Sequence, residues 1–239
     1  MSHHHILNSA EHGSLRIHTA AGADYGDNVM ACLTVPAEFR EVQGHFPIVF
    51  RRDIDTGKMS SLALFGFEAG ENLFLQAGQW DARYRPLAMA IQPFLVGRTA
   101  AGDGGAQVHV DMDHPRISKT SEGTRVFDDD GKPTPYLEAI ATKLGDLDHA
   151  FRASADFFLV LETYSLLEPF SLEVALDDGS KHSLVGFHTI DEERLAALDG
   201  EALQALHHAG HLEPIFMALA SLAQFSELVA RKNRRVTGG

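Results

Sequence analysis

The sequence predicts an α+β fold in which a strand-rich N-terminal half packs with a mainly helical C-terminal half. Short apolar runs bounded by glycine and proline fill residues 1–128, and such runs are typical of strands. Apolar residues recur at steps of three and four over residues 129–232, which is typical of helices. Neither an internal repeat nor a low-complexity linker interrupts the 239 residues, so we expect one α+β domain over residues 1–239.

The N-terminal half is predicted to contain a succession of short strands joined by turns. Residues 68–71 form a glycine-containing turn between two of these strands and predict a hairpin. Pro36 fits the first turn of a short helix over residues 36–42, and residues 102–105 (Gly-Asp-Gly-Gly) predict a loop. The predicted strands cover residues 28–35, 47–51, 62–67, 72–75, 88–96, 107–112 and 124–127.

The C-terminal half is predicted to be helical on both sides of a hairpin. Thr134 fits the N-cap of a long helix, with Pro135 at its first helical position. This helix should end before Pro169, because the residue that precedes a proline disfavours the α conformation. Residues 177–179 (Asp-Asp-Gly) predict the turn of a hairpin near residues 170–189. Asp191 is predicted to cap a helix over residues 192–198, and Gly210 is predicted to close a helix over residues 201–209. A last helix is predicted over residues 215–231, followed by a frayed tail over residues 234–239.

The charge balance and the cysteine content restrict the class of protein. The chain has 20 Lys+Arg against 33 Asp+Glu, a net charge of −13, which argues against a nucleic-acid partner. Cys32 is the single cysteine, so the chain cannot form an internal disulfide. The sequence shows no signal segment, and its apolar runs are shorter than the ~20 residues that span a bilayer. We therefore expect a cytoplasmic protein without membrane insertion; the sequence specifies no oligomeric state.

The 14 histidines are the most evident route to catalytic chemistry. In the pattern His109-Val110-Asp111, alternate residues of a strand face the same way and could supply two ligands of a 2-His-1-carboxylate Fe(II) site. His182 or His188 would be the distal ligand, and Arg194 would bind an acidic co-substrate. The alternative is an exposed strand end, since a His and an acid at this spacing occur often by chance in this composition.

Aromatic residues indicate a second candidate site, which would bind a ligand or a peptide. Trp80 and Tyr84 flank a charged pair, a mixture typical of a binding rim, and the alternative is simply the core of a sheet. The chain has neither a nucleophile elbow nor a glycine-rich phosphate loop before a helix, so a non-catalytic role is favoured. The aromatic residues are Phe65, Phe67, Phe74, Trp80, Tyr84 and Phe94.

Several short motifs follow one another in a characteristic order over nearly the whole chain. These motifs are Pro47-Ile48-Val49-Phe50, Ala63-Leu64-Phe65-Gly66, Glu71-Asn72-Leu73-Phe74, Gln79-Trp80, Tyr84-Arg85-Pro86, Gln92-Pro93-Phe94-Leu95, Val110-Asp111-Met112-Asp113-His114-Pro115-Arg116, residues 126–137, Ile190-Asp191-Glu192-Glu193, residues 207–210 and Leu219-Ala220-Ser221-Leu222. Their order and spacing resemble those of the SapC-like family of bacterial proteins.

The resemblance implies a role but no catalytic residues. The family name refers to surface-layer loci, and its bacterial members are often encoded near TonB-dependent receptors, tryptophan halogenase-like proteins and cupin-like hydroxylases. The family pattern retains Asp111 and the Pro-Arg pair but does not require His109, which argues against the iron site. The resemblance also implies that Asp111, Asp113 and Arg116 form either a structural ion-pair turn or a ligand contact.

The sequence and the resemblance together favour a non-catalytic accessory factor that binds a peptide or a protein. The factor would be linked to a surface-layer or outer-membrane uptake system and would need no cofactor. Its expected ligand-binding residues are Phe65, Trp80, Tyr84, Phe94, Asp111, Asp113 and Arg116. The alternative is an Fe(II)/2-oxoglutarate-type oxygenase in which His109, Asp111 and His182 bind the iron.

Overall fold

A computed structural model describes residues 3–97 and 106–237 of the chain. The strands are β1 (His4–Ile6), β2 (Arg16–Ile17), β3 (Ala31–Thr34), β4 (Ile48–Arg52), β5 (Met59–Leu64), β6 (Leu75–Gln76), β7 (Gln79–Trp80), β8 (Phe94–Gly97), β9 (Gln107–Asp111), β10 (Thr124–Arg125), β11 (Leu167–Ala175) and β12 (Lys181–Ile190). The α-helices are α1 (Ser9–His12), α2 (Phe39–Val42), α3 (Leu87–Ala90), α4 (Pro135–Thr163), α5 (Glu192–Ala196), α6 (Gly200–His208), α7 (Leu212–Ser221) and α8 (Gln224–Thr237). The loop predicted over residues 102–105 lies outside the described residues.

The described chain divides into two compact units that take alternating segments of the sequence. The first unit consists of the described residues of Met1–Asn28, Leu75–Asp81 and Leu87–His149. The second unit consists of Val29–Phe74, Ala82–Pro86 and the described residues of Ala150–Gly239. The single domain that the sequence suggested stays a prediction.

The first unit contains an antiparallel three-stranded sheet in the order β1-β9-β8 and a short β10–β2 ladder. Val110 of β9 lies opposite His5 of β1 and Phe94 of β8, which fixes the register of the sheet. The first half of α4 contributes apolar residues at helical spacing to the core. The core residues are Leu15, Ile17, Ile91, Phe94, Val110, Val126, Phe127, Leu137, Ile140 and Leu144.

The second unit contains an antiparallel five-stranded sheet in the order β11-β12-β4-β5-β3. Its strands come from both halves of the sequence, and β12 joins β4 where His188 lies opposite Phe50. The hydroxyl of buried Ser221 on α7 accepts a hydrogen bond of 2.8 Å from the N–H of Ile48 on β4. Edge-to-face aromatic contacts fill the core, including a Phe46–Phe74 pair with ring centroids 4.7 Å apart.

The α+β class is confirmed, and the local signals for α4 and the second hairpin were correct. α4 begins at Pro135 as predicted, with the N–H of Leu137 directed at the Thr134 hydroxyl. β11 and β12 form the hairpin predicted near residues 170–189. Pro169 lies within β11 and not before it, a position that is tolerated because β11 is an edge strand.

Three predicted elements were wrong. The 68–71 turn does not form a hairpin, because β5 pairs with β3 and β4 whereas β6 pairs with β7. Glu71 of this turn accepts a hydrogen bond from the N–H of Phe67 and pairs with Lys232 of α8. The strand predicted over residues 88–96 is α3 followed by a turn and β8. Its Gln92–Pro93 peptide bond is cis, and a proline cannot donate to a strand ladder. The last helix is two helices, and helical structure continues to Thr237.

Helices α7 and α8 and the turn between them form a segment, Leu212–Thr237, that is long and apolar enough to cross a bilayer by composition. The most apolar 18-residue window of this segment has a mean hydropathy of 1.3, and 22% of that window is buried within the protein. The same test is passed by core helices of soluble proteins. In this structure Ser221 and Lys232 of the segment are buried polar residues with protein partners.

Candidate functional site

An open groove of about 370 Å³ lies on the first unit between the β1–β9 edge and the first half of α4. Its lining is mainly apolar, as in sites that bind the side chains of a partner. The lining residues are Ile6, Leu7, Gln107, Val108, Phe127, Pro133, Leu137, Glu138 and Ala141.

The floor of this groove is the core of the first unit. Phe127 and Leu137 belong to the core and are nearly fully buried, whereas Ile6 at the rim is 49% exposed. Phe127 is held by a bridge to Pro133, which closes the acidic turn that precedes α4. The buried floor and the exposed apolar rim together make a surface on which the apolar side chains of a ligand could be buried.

Strand β1 lies at an edge of its sheet among the described strands. The N–H of Leu7 donates to the carbonyl of Val108, and the carbonyl of His3 accepts from Met112. In an antiparallel ladder the inward groups alternate, so the N–H and C=O groups of His4 and Ile6 point away from β9. The Ile6 carbonyl accepts a 3.2 Å hydrogen bond from the Asn8 side chain, while the His4 groups offer an edge for strand addition.

The four predicted aromatic ligand residues occupy different environments. Phe65 is buried against Phe46 and Phe74 in the second unit. Phe94 is buried in the core of the first unit beside Tyr136. Trp80 and Tyr84 are half-buried, Trp80 on β7 in the first unit and Tyr84 in the second. None of the four lines the groove, and their role as ligand contacts stays a prediction.

Tyr84 belongs to a buried hydrogen-bond network centred on Glu38. The Glu38 carboxylate accepts hydrogen bonds from the Tyr84 hydroxyl at 2.7 Å, the Thr34 hydroxyl at 2.8 Å and the N–H of Val35 at 3.3 Å. Burial and this hydrogen bond raise the pKa of Tyr84. Burial and the Glu38 charge also raise the pKa of the Cys32 thiol well above its usual value. A buried carboxylate with three hydrogen-bond donors holds the chain around Glu38 in place.

Arg116 is paired with Asp27 inside the first unit. Its side chain is 2% exposed, that of Asp27 is 0% exposed, and the guanidinium Nη2 donates to both carboxylate oxygens at 2.6 and 2.7 Å. The Nη1 atom donates to the carbonyls of His18 and Ala20 at 2.7 and 2.9 Å. The contacts of Arg116 identify it as an internal clamp that ties the 18–27 segment to the turn before β10.

Asp111 and Asp113 lie beside this clamp along the chain but do not contact Arg116 in any described hydrogen bond or ion pair. Asp111 accepts a 3.1 Å hydrogen bond from the N–H of Asp113, which forms a local turn. The Asp113 carboxylate is exposed and lies 3.7 Å from His3. The ion-pair partner of Arg116 is therefore distant in sequence, and a ligand role for Asp111 and Asp113 stays a prediction.

His114 supports the same turn with both ring nitrogens. Its Nδ1 accepts from the N–H of Arg116 at 3.1 Å, so Nε2 carries the proton and donates to the Gln92 side chain at 3.2 Å. Burial, together with the Arg116 charge, lowers the pKa of His114. Both hydrogen bonds can be made by the neutral imidazole, which agrees with the lowered pKa.

The alternative iron ligands are drawn from both units. His109 and Asp111 lie on one face of β9 in the first unit, and the His109 ring lies directly over Gly97 of β8. His182 lies in the second unit, where its Nδ1 is 2.8 Å from a Glu68 oxygen. No described contact favours an Fe(II) site over the contacts that Asp111 and His182 make with protein groups. The oxygenase hypothesis therefore still rests on the sequence pattern alone.

The groove residues were missed because their signals in the sequence are those of ordinary core and helix positions. Leu137 belongs to the apolar stripe of α4, and Phe127 ends a short extended segment. The available signal was the character of two exposed residues beside that stripe, acidic Glu138 and small Ala141. Neither side chain covers the groove, so this side of the helix stays open to the rim.

Comparison with known proteins gives one match. Residues 7–228 match the model of a protein family described as SapC. No curated protein and no solved structure matches the chain.

Proposed function

The chain belongs to the SapC family, whose model spans residues 7–228, and from that premise we propose that it is a non-catalytic binding protein. It takes an extended segment of a partner protein in the groove of the first unit. The observation that carries this proposal is the groove itself, an open apolar cavity of about 370 Å³ beside β1, which lies at the edge of its sheet among the described strands.

The groove and the strand edge offer two complementary kinds of contact. Backbone groups of an extended segment would pair with the outward groups of β1, as in other cases of strand addition. Alternate side chains of that segment would then enter the groove over Leu7 and Phe127. Each apolar side chain buried in this way contributes about 1.5–3 kcal/mol before the ordering cost of the segment is subtracted.

The charge of the site favours a basic partner segment. Glu138 is the acidic residue of the lining and is exposed, and the whole chain carries a net charge of −13. Complementary charges steer association and select between partners. The ligand is therefore an extended segment with apolar residues at alternate positions and a Lys or Arg beside them.

Affinity selection from a random-peptide phage library, with the full chain immobilised, tests this proposal. Enriched peptides would be synthesised and their Kd measured by fluorescence anisotropy. The variant Ala141→Trp fills the groove from an exposed position of α4. The matched control Ala139→Trp adds the same ring to an exposed residue of α4 that does not line the groove.

We expect Ala141→Trp to weaken binding at least about tenfold, or 1.4 kcal/mol, with little change for Ala139→Trp. Glu138→Lys should weaken binding of basic peptides and should lower the salt dependence of the Kd. If no peptide is enriched, or if Ala141→Trp and the wild type bind equally, the groove is not the binding site.

We also propose that the partner belongs to a surface-layer or outer-membrane uptake system, as the family resemblance implies. A photo-crosslinking phenylalanine analogue at position 6, expressed in the native host, would trap the partner in place, because Ile6 is an exposed apolar residue at the rim and its replacement leaves the Ala141 side of the groove open. The same analogue at position 139 is the control. A cell-envelope protein trapped at position 6 alone supports this link, whereas a trapped protein of another kind contradicts the link but not the binding of a partner in the groove.

A further inference from the structure

We propose that His5, Glu11 and His12 bind a divalent transition-metal ion of the zinc type. His5 lies on β1, and Glu11 and His12 lie on α1, all in the first unit. Their ligand atoms lie within 4.8 Å of one another. This inference does not depend on the partner proposed for the groove.

The ligand atoms of the three side chains are only somewhat farther apart than the ligand atoms around a bound ion. Ligand atoms on a tetrahedral zinc are about 3.3 Å apart, since each bond is about 2.0–2.1 Å long. The His5 and His12 ring centroids are 6.0 Å apart with the planes at 87°, against about 5 Å for two imidazoles on one ion. His5 and Glu11 are exposed and free to rotate, so side-chain movement alone closes the site.

His12 is fixed by the backbone of Asn8. It is 5% exposed, and its Nδ1 lies 3.3 Å from the Asn8 nitrogen, whose N–H can donate to it, and 3.2 Å from the Asn8 carbonyl oxygen. In the tautomer whose Nδ1–H donates to that carbonyl, Nε2 is unprotonated and is the ligand atom. A backbone carbonyl that fixes the tautomer of a metal-bound histidine is a recurrent arrangement in metal sites.

Asn8 also fixes the short helix that carries the other two ligands. Its side chain accepts a 2.9 Å hydrogen bond from the N–H of Glu11, which makes it the N-cap of α1. The same side chain donates to the carbonyl of Ile6, the residue after His5. One capping residue therefore links the strand ligand to the helix ligands.

The donor set selects the class of ion. Two imidazoles and one carboxylate suit zinc and related transition metals, whereas magnesium and calcium prefer sites made of oxygen ligands. Three protein ligands leave a fourth tetrahedral position for water or for a group of another molecule.

Zinc competition titration of the full chain, purified without an affinity tag and stripped by a chelator, tests the proposal. A chromophoric zinc chelator would report the Kd, and Co²⁺ in place of zinc would report the geometry by its absorption. We expect one ion per chain, a tetrahedral Co²⁺ spectrum, and at least about tenfold weaker binding in His5→Gln, Glu11→Gln and His12→Gln.

Two control variants separate this site from the other histidines. His4→Gln changes the neighbouring residue, whose side chain points to the opposite face of β1. His208→Gln removes one ring of an exposed His207–His208 pair whose centroids are 5.9 Å apart. Both should bind zinc as the wild type does.

Equal losses in His4→Gln and His5→Gln would show that a flexible histidine run binds the ion and would overturn the proposal. Unchanged zinc affinity in Glu11→Gln would overturn it as well. His12 is buried, and its variant is therefore checked for folding by circular dichroism. The exposed His5 and Glu11 variants decide the outcome even if His12→Gln fails to fold.

Discussion

The buried Asp27–Arg116 pair should contribute strongly to the stability of the first unit. The variant Asp27→Ala removes two charge-assisted hydrogen bonds, at 2.6 and 2.7 Å, from a guanidinium that is 2% exposed. It also removes the acceptor of the Gly22 N–H, which donates to Asp27 at 3.0 Å. Two carbonyl acceptors remain for Arg116, but its charge stays buried without a counter-ion.

We expect Asp27→Ala to lower the free energy of unfolding by about 3–5 kcal/mol, the usual cost of an orphaned buried charge. The matched control is Asp129→Ala, which breaks an ion pair of the same 2.6 Å length between Arg125 and a residue that is 91% exposed. An exposed pair contributes about 0–1 kcal/mol, so this control should differ from the wild type by less than 1 kcal/mol.

Urea unfolding followed by the fluorescence of Trp80 provides the assay, because this tryptophan lies in the same unit as the ion pair. The double variant Asp27→Ala/Arg116→Met should be more stable than Asp27→Ala alone, since it removes the unpaired charge. If Asp27→Ala costs no more than Asp129→Ala, or if the double variant is no more stable than Asp27→Ala, the reasoning is refuted.

Three further predictions follow from polar groups that are wholly or partly removed from solvent. Tyr84→Phe should lower the free energy of unfolding by about 1–3 kcal/mol, because buried Glu38 loses a donor; the value is measured by chemical denaturation, and a neutral effect would contradict the network. Because burial raises the pKa of Cys32, its thiol should react with iodoacetamide at neutral pH much more slowly in the native protein than in urea; equal rates would contradict this. Burial lowers the pKa of three histidines below their ordinary value of about 6.5, so the unfolded state binds more protons and the free energy of unfolding should fall as the pH drops below that value. A variant with Gln at all three positions should lose less stability over the same pH range, as measured by thermal unfolding, and an unchanged pH slope would contradict the assignment. The three residues are His45, His114 and His211.

Parts of the fold could be predicted because their causes lie within a few residues. Thr134 and Pro135 start α4, and Asp191 caps α5 by accepting a 2.9 Å hydrogen bond from the N–H of Arg194. Gly210 ends α6 with a φ of +73°, a conformation that glycine adopts without strain. These signals depend on caps and backbone preferences, which remain visible when the rest of the fold is unknown.

The candidate sites were predicted less well because their residues meet across long separations in the chain. The spacing of His109 and Asp111 correctly placed them on one strand face, but it carried no information about what lies opposite. Likewise, the aromatic character of Phe65 and Phe94 did not separate a binding rim from a core. Burial decides that question, and burial depends on the packing of distant elements.

The sequence by itself determined the α+β class, the start of α4, the second hairpin and the helix caps, because each follows from local periodicity or a capping residue. The tertiary structure decided which elements meet. It paired Arg116 with Asp27, 89 positions away, and it placed Lys232 beside Glu71, 161 positions away, where a hairpin had been predicted. It also opened the groove beside β1 and brought His5 next to Glu11 and His12. Spacing along a chain fixes the direction of a side chain, whereas its partner is chosen by the packing of the whole unit.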